Sequence, residues 1–245
     1  MLKNSNMKQT TTQSNNLVSK EYTKSFVSNV FSLMFTALII SGFSAIWFST
    51  DGMKEIIMNN HNGVLKLTTI GWIVSLSPLG LVLLMGAGFQ KFSVKTLLAI
   101  FLIYSTLTGI SLSTIFSVYT TSSIASTFFI SSLTFGVMAL TGYTTKTDLT
   151  KMGSFLYMAL IGIIIASLIN WFMQSEQLDY IISIIGVLVF TGLTAYDVQK
   201  IKNIGSQVEQ GSKSAQKLMI MGALTLYLDF INLFLMLLRL LGNRD

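Results

Sequence analysis

Apolar residues in this chain fall in long unbroken runs, not in the short alternations of a strand or the narrow stripe of a soluble helix. A membrane span takes about 20 mostly apolar residues. Seven segments qualify: Phe26–Phe48, Leu67–Phe89, Thr96–Tyr119, Ile124–Tyr143, Phe155–Met173, Tyr180–Gln199 and Leu218–Leu238. The third and fourth are separated only by Thr120–Ser123. A tight polar turn between two helices is expected there, with a reentrant hairpin as the alternative. The pattern predicts an all-α integral membrane protein with seven transmembrane helices. Residues 1–25 are polar, rich in Asn, Thr, Gln, Ser and Lys, and read as a disordered cytoplasmic tail ahead of a transmembrane domain over 26–245. The first apolar run is long enough to span, so no cleavable signal is expected.

Composition supports the membrane reading. The 245 residues are 51% hydrophobic and 11% charged, whereas soluble domains carry about 25% charged residues. With no Cys, disulfides, thiolate catalysis and Cys-based metal sites are excluded. The single His61 stands in the polar stretch Ser49–Lys66 and reads as a solvated loop residue.

The net charge of +6 does not point to nucleic acid, because the basic residues flank apolar runs and form no basic face. On one side of the membrane fall twelve: Lys3, Lys8, Lys20, Lys24, Lys91, Lys95, Lys146, Lys151, Lys200, Lys202, Lys213 and Lys217. The other side receives four, Lys54, Lys66, Arg239 and Arg244. That imbalance places the N-terminus in the cytoplasm and, with seven spans, the C-terminus outside. Heavy use of Lys over Arg, and of Asn, points to an AT-rich bacterial genome and hence to the bacterial inner membrane.

Small residues recur within the spans: Gly80, Gly86 and Gly88, then Gly109, Ser111 and Ser113, then Gly186 and Gly192. Close helix packing is their expected role. Pro78 removes one backbone donor and is expected to bend or loosen the second span.

Two residues break the apolar pattern. Asp197 stands near the end of Tyr180–Gln199, and Asp229 lies in the middle of Leu218–Leu238. A carboxylate at bilayer depth is expensive, and such residues usually mark an ion path, a proton site or a switch. For Asp197, a snorkelling or helix-capping role near the membrane surface is the plain alternative. Asn232, three residues after Asp229, lies on the same helix face and is a candidate member of a shared network.

The sixth and seventh spans are consecutive and antiparallel, so their carboxyls can meet. Register opposes this. At 1.5 Å per residue, Asp197 is roughly 3 Å from the assigned end of its segment and Asp229 roughly 16 Å from its own. A close pair requires the sixth helix to continue through Ile201–Ile204, or a polar vestibule that dips inward. If the two meet, they cannot both ionise cheaply, and a shared proton makes the contact pH-sensitive. An intramembrane protease of the presenilin type would need a Tyr-Asp and a Gly-x-Gly-Asp sequence. Tyr196–Asp197 supplies the first, but Leu228–Asp229 lacks the glycines of the second. No catalytic residues and no cofactor are expected.

The stretch Thr191–Asn203, Thr-Gly-Leu-Thr-Ala-Tyr-Asp-Val-Gln-Lys-Ile-Lys-Asn, resembles the sixth-helix motif of the Bax inhibitor-1 family. Leu226–Asp245, with Tyr-Leu-Asp-Phe-Ile-Asn-Leu-Phe, resembles that family's last helix. Supporting matches are Ser77–Gly80, Leu107–Phe116 and Gly142–Phe155. The likeness runs from about Tyr22 to the end. It implies a seven-helix fold with the C-terminal helix central and a pH-sensitive calcium leak. Asp197 and Asp229 would be the sensor, ion path and transient calcium ligands, with Tyr196 and Asn232 in support. A basic residue on the second helix, which can engage the pair in relatives, is missing from Leu67–Phe89; Lys91 is the nearest candidate. The partners implied are the bilayer and a cation. The alternative reading is an interaction protein that modulates a membrane-bound protease, with the polar tail as its handle.

Overall fold

The structure, a computed structural model, describes the side chains of residues 20–59 and 66–244, and the backbone of the hairpin between them except its tip at 62–63. The tail expected to be disordered lies outside the described residues as far as residue 19, as does the side chain of His61. Seven helices among the described residues are long and apolar enough to cross a membrane. The chain runs through α1 (Lys20–Phe48), a short α2 (Lys54–Ile57) and a hairpin, Met58–His61 paired antiparallel with Val64–Leu67. It continues through α3 (Thr69–Gly88), α4 (Val94–Leu112), a 3-10 turn over Ser113–Ser117, and α5 (Thr121–Thr144). The last helices are α6 (Thr150–Met173), α7 (Glu176–Gln207) and α8 (Lys213–Leu241).

Polar residues just before each apolar run start these helices. Thr68, Ser93, Thr120, Ser175 and Ser212 each turn a side-chain oxygen to a backbone N–H three residues on. This satisfies one of the four donors that a helix start leaves open. Thr120 is the cap between the third and fourth spans, so that short gap separates two full helices. α3 stays helical through Pro78. A proline there leaves the Val74 carbonyl without its usual donor, and the Ser77 hydroxyl donates to it at 2.9 Å.

α8 is the central helix, packed against α7, α1, α5 and α4. It buries Leu226, Tyr227 and Leu233 completely. α7 shares the centre, touching α8, α5, α6 and α1, while α3 and α6 pack mainly on α4 and α7. Large apolar side chains such as Phe35, Leu83, Phe155 and Phe172 point outward, as lipid-facing residues do. Three tryptophans, Trp47 near the end of α1, Trp72 near the start of α3 and Trp171 near the end of α6, lie at one end of the bundle. Indole rings favour that interfacial level.

Several expectations need correction. The stretch Ser49–Lys66 was expected to be a plain polar loop but holds α2 and the hairpin, and it buries Ile57. The sixth span does not stop at Gln199. α7 runs on to Gln207, because Ile201 and Gly205 face inward against Gly222 and Phe26 while Lys200 points out. Gly109 and Gly192 do mediate close packing, against Ser41 and Leu156, but Gly80 and Gly86 face open space. The tightest helix contact belongs to another glycine. Gly142 of α5 lies directly on the Ala195 backbone of α7, where any Cβ would collide.

Candidate functional site

The extension of α7 settles the register problem. Ten residues separate Asp197 from Gln207, about 15 Å of helix, so Asp197 lies well inside its helix, buried among its neighbours. The turn to α8 is short, with Gly211 at φ +75° where a side chain would be strained. α7 and α8 therefore return as close antiparallel neighbours. Val198 and Ile201 on one helix, and Leu226 and Phe230 on the other, form the apolar surround.

Within it the carboxyl groups of Asp197 and Asp229 meet at hydrogen-bonding reach. Asp197 is 2% exposed and Asp229 5%. The Tyr157 hydroxyl on α6 donates to Asp197, at 3.1 Å to Oδ1 and 3.4 Å to Oδ2. Asp229 Oδ2 is buried and receives no hydrogen bond among the described residues. Two carboxylates have no proton to offer each other, so a direct bond between them needs one of the pair to be protonated. Two adjacent unscreened charges in this surround are strongly disfavoured.

Around the pair stands an aromatic shell. Tyr157 and Tyr196 meet edge to face at 5.9 Å. The Lys200 ammonium lies 5.9 Å from each ring centre and acts electrostatically on Asp197. Gly153 on α6 leaves room for the Tyr196 ring, since a Cβ there would run into it. Gln199, two residues past Asp197, clamps the α5–α6 connection: its Oε1 accepts from the Leu149 N–H at 2.9 Å and its Nε2 donates to the Thr147 carbonyl at 2.8 Å.

The structure thus brings together Asp197 and Asp229, with Tyr196 alongside them. Asn232 is directed elsewhere, its amide donating to the Leu228 carbonyl on its own helix at 2.8 Å. Tyr157 and Lys200 escaped sequence reasoning. The signal for Tyr157 was its place as the one tyrosine of Phe155–Met173; nothing in the sequence reports that α6 packs on α7 at that level. Nor does a basic residue of α3 or Lys91 reach the pair by any described bond. Lys217 of α8 instead reaches the turn just after α3, where its ammonium donates to the carbonyls of Phe89 and Gln90 at 3.1 and 3.3 Å.

Residues 23–245 match the family described as Inhibitor of apoptosis-promoting Bax1. The chain belongs to the Bax inhibitor-1 family. It is 46% identical over 224 residues to the inner membrane protein YbhL of Escherichia coli, covering 90% of this chain and 92% of that one. It is 46% identical over 220 residues to an uncharacterised protein of Borreliella burgdorferi, covering 89% and 92%. An uncharacterised protein of Rickettsia prowazekii is 45% identical over 234 residues, 96% of each chain. The family match spans all seven candidate membrane helices and both aspartates, and it leaves out most of the polar tail.

Calcium prefers six to eight oxygen ligands. No group of three or more His, Cys, Asp or Glu side chains positioned to hold a metal occurs among the described residues. Two carboxyls and a tyrosine hydroxyl fall short of that number.

Proposed function

We propose that this protein is a passive, pH-gated cation leak of the bacterial inner membrane, with calcium as the ion and the Asp197–Asp229 pair as the gate. One observation carries the reading: two buried carboxyls from neighbouring helices lie within reach of each other, and one oxygen has no donor among the described residues. With one proton between them the carboxyls bond each other and hold α7 to α8. Without it, two like charges push the helices apart or draw in a cation. Unit charges about 4 Å apart interact by about 4 kcal/mol at an effective dielectric constant of about 20, enough to drive a two-state helix movement. Tyr157 holds Asp197 in place during the exchange, and Lys200 waits outside the ring shell. No bond is made or broken, and no catalytic role is assigned. The Lys distribution puts the N-terminus in the cytoplasm, and the name of the Escherichia coli relative supports the inner membrane.

The test is calcium entry into liposomes carrying the purified protein, followed with an entrapped indicator across a pH series. Entry that rises as the pair loses its proton supports the gate. Entry equal to that of protein-free liposomes at every pH would end the reading.

A further inference from the structure

α1 and α5 stand on two sides of α8, each packed on α8 and α7, and a groove of about 1050 Å³ opens between them. It runs along α1 from Lys24 to Gly42 and along α5 from Tyr143 to Phe128, with Phe230 of α8 lining its floor. Eighteen residues of helix measure about 27 Å, close to the roughly 30 Å of a bilayer's hydrocarbon. Apart from its ends, the wall has little to offer water. Ser32 and Ser132 donate to carbonyls of their own helices, Ser28 and Phe128, at 2.9 and 2.8 Å. The groove is therefore shaped for hydrocarbon, and neither aspartate lines it.

Its Lys24 end differs. Lys24 is exposed and makes no hydrogen bond or ion pair among the described residues, including with Glu21 one turn earlier. On the opposite lip stands Tyr143, with the Lys202 ammonium 5.1 Å from its ring centre and bonded to its carbonyl. Two cations and a tyrosine at the headgroup level, above an apolar slot, match an anionic phosphate with an acyl chain beneath it.

We propose that the α1–α5 groove binds one anionic membrane phospholipid, its chain laid against Phe31 and Phe135 and its phosphate held at Lys24 and Lys202. Gly42 and Gly136 give the slot its depth, since a Cβ at either position would meet nothing within 4 Å. A larger residue there fills the groove without a backbone collision. Gly162 of α6 is equally open but lies away from the groove, and it supplies the control.

The experiment is native mass spectrometry of the full-length protein, released from nanodiscs containing equal phosphatidylglycerol and phosphatidylcholine. Wild type should retain one phosphatidylglycerol in preference to phosphatidylcholine. Lys24→Gln should reduce that preference about fivefold, the worth of one basic residue near a membrane surface. Gly136→Leu should abolish retention of both lipids, while Gly162→Leu retains them as wild type does. Thermal unfolding of each variant, run in parallel, checks that Gly136→Leu is folded. Should it unfold early, Gly42→Leu makes the same test from the other wall. Equal retention of the two lipids by wild type, retention unchanged in a folded groove-filled variant, or a protein dimer occupying this face in place of lipid would overturn the proposal.

Discussion

If Asp197 and Asp229 form one titrating unit, replacing either with asparagine should remove the whole of the pH response, and replacing both should remove nothing more. The magnitude follows from the contact. Repulsion of about 4 kcal/mol between two charged carboxyls is close to three decades in an open-to-closed ratio at about 1.4 kcal/mol per decade. That sets the largest rise in calcium entry wild type can show as the shared proton is lost with increasing pH. In Asp229→Asn or Asp197→Asn only one acid remains, no like-charge pair forms, and the rise should vanish. The double variant should match either single one to within about twofold, the ordinary scatter for sites that do not interact further. Entry is read by stopped flow in liposomes at matched protein density. Asp148→Asn is the control. The Thr150 hydroxyl, and then its backbone N–H, bond the Asp148 carboxyl and hold it below the usual carboxylate range. Its contribution is thus present at neutral pH and lost only when the pH falls through that lowered value. Effects that add in the double variant, or single variants that keep the wild-type profile, would show that the aspartates are structural.

Three further outcomes are expected. Tyr157→Phe removes a donor to a charged group, worth about 1.5–3 kcal/mol. The curve of entry against pH should move by roughly one to two units toward higher pH, and an unmoved curve would remove Tyr157 from the gate. Gly142→Leu forces a side chain onto the Ala195 backbone and should destabilise the protein by about 1–3 kcal/mol or more, read as a lower unfolding temperature in detergent; wild-type stability would contradict the close α5–α7 contact. A periplasmic reporter fused after residue 245 should be active, and activity confined to a cytoplasmic reporter would refute the assigned orientation.

Hydropathy alone located all seven spans, because lipid demands apolar residues over a fixed length whatever the packing. It did poorly where a helix leaves lipid. α7 continues past Gln199 on a pattern that is apolar on one face and charged on the other, with Ile201 and Gly205 inside and Lys200 and Asn203 outside. A window average reads such a stretch as polar. The aspartates stood out as costly exceptions, and their meeting depended on the extension through Ile201–Ile204, one of the two routes the sequence left open. Asn232 looked like a partner by spacing, but the helix's own Leu228 carbonyl was nearer to hand. Tyr157 comes from a helix forty residues away, and neither its spacing nor its chemistry ties it to Asp197 before the helices are packed. Gly142 and Gly153 likewise looked no different from Gly80, which touches nothing.

The central position of α8 has a consequence for how the protein is made. α8 follows the other six spanning helices in the chain; α1, α4, α5 and α7 pack on it directly, and α3 and α6 lean on it through α4 and α7. The Asn243 carbonyl accepts from the Thr120 N–H, and the Asn243 N–H donates to the Ser123 hydroxyl. Residues that follow α8 therefore help to tie down the turn between α4 and α5. Until α8 is made, the other six helices share the membrane without the helix on which α1, α4, α5 and α7 pack. Nascent chains lacking α8 should be loose and open to proteolysis, and the bundle should tighten in one late step as its core slides in between helices already inserted.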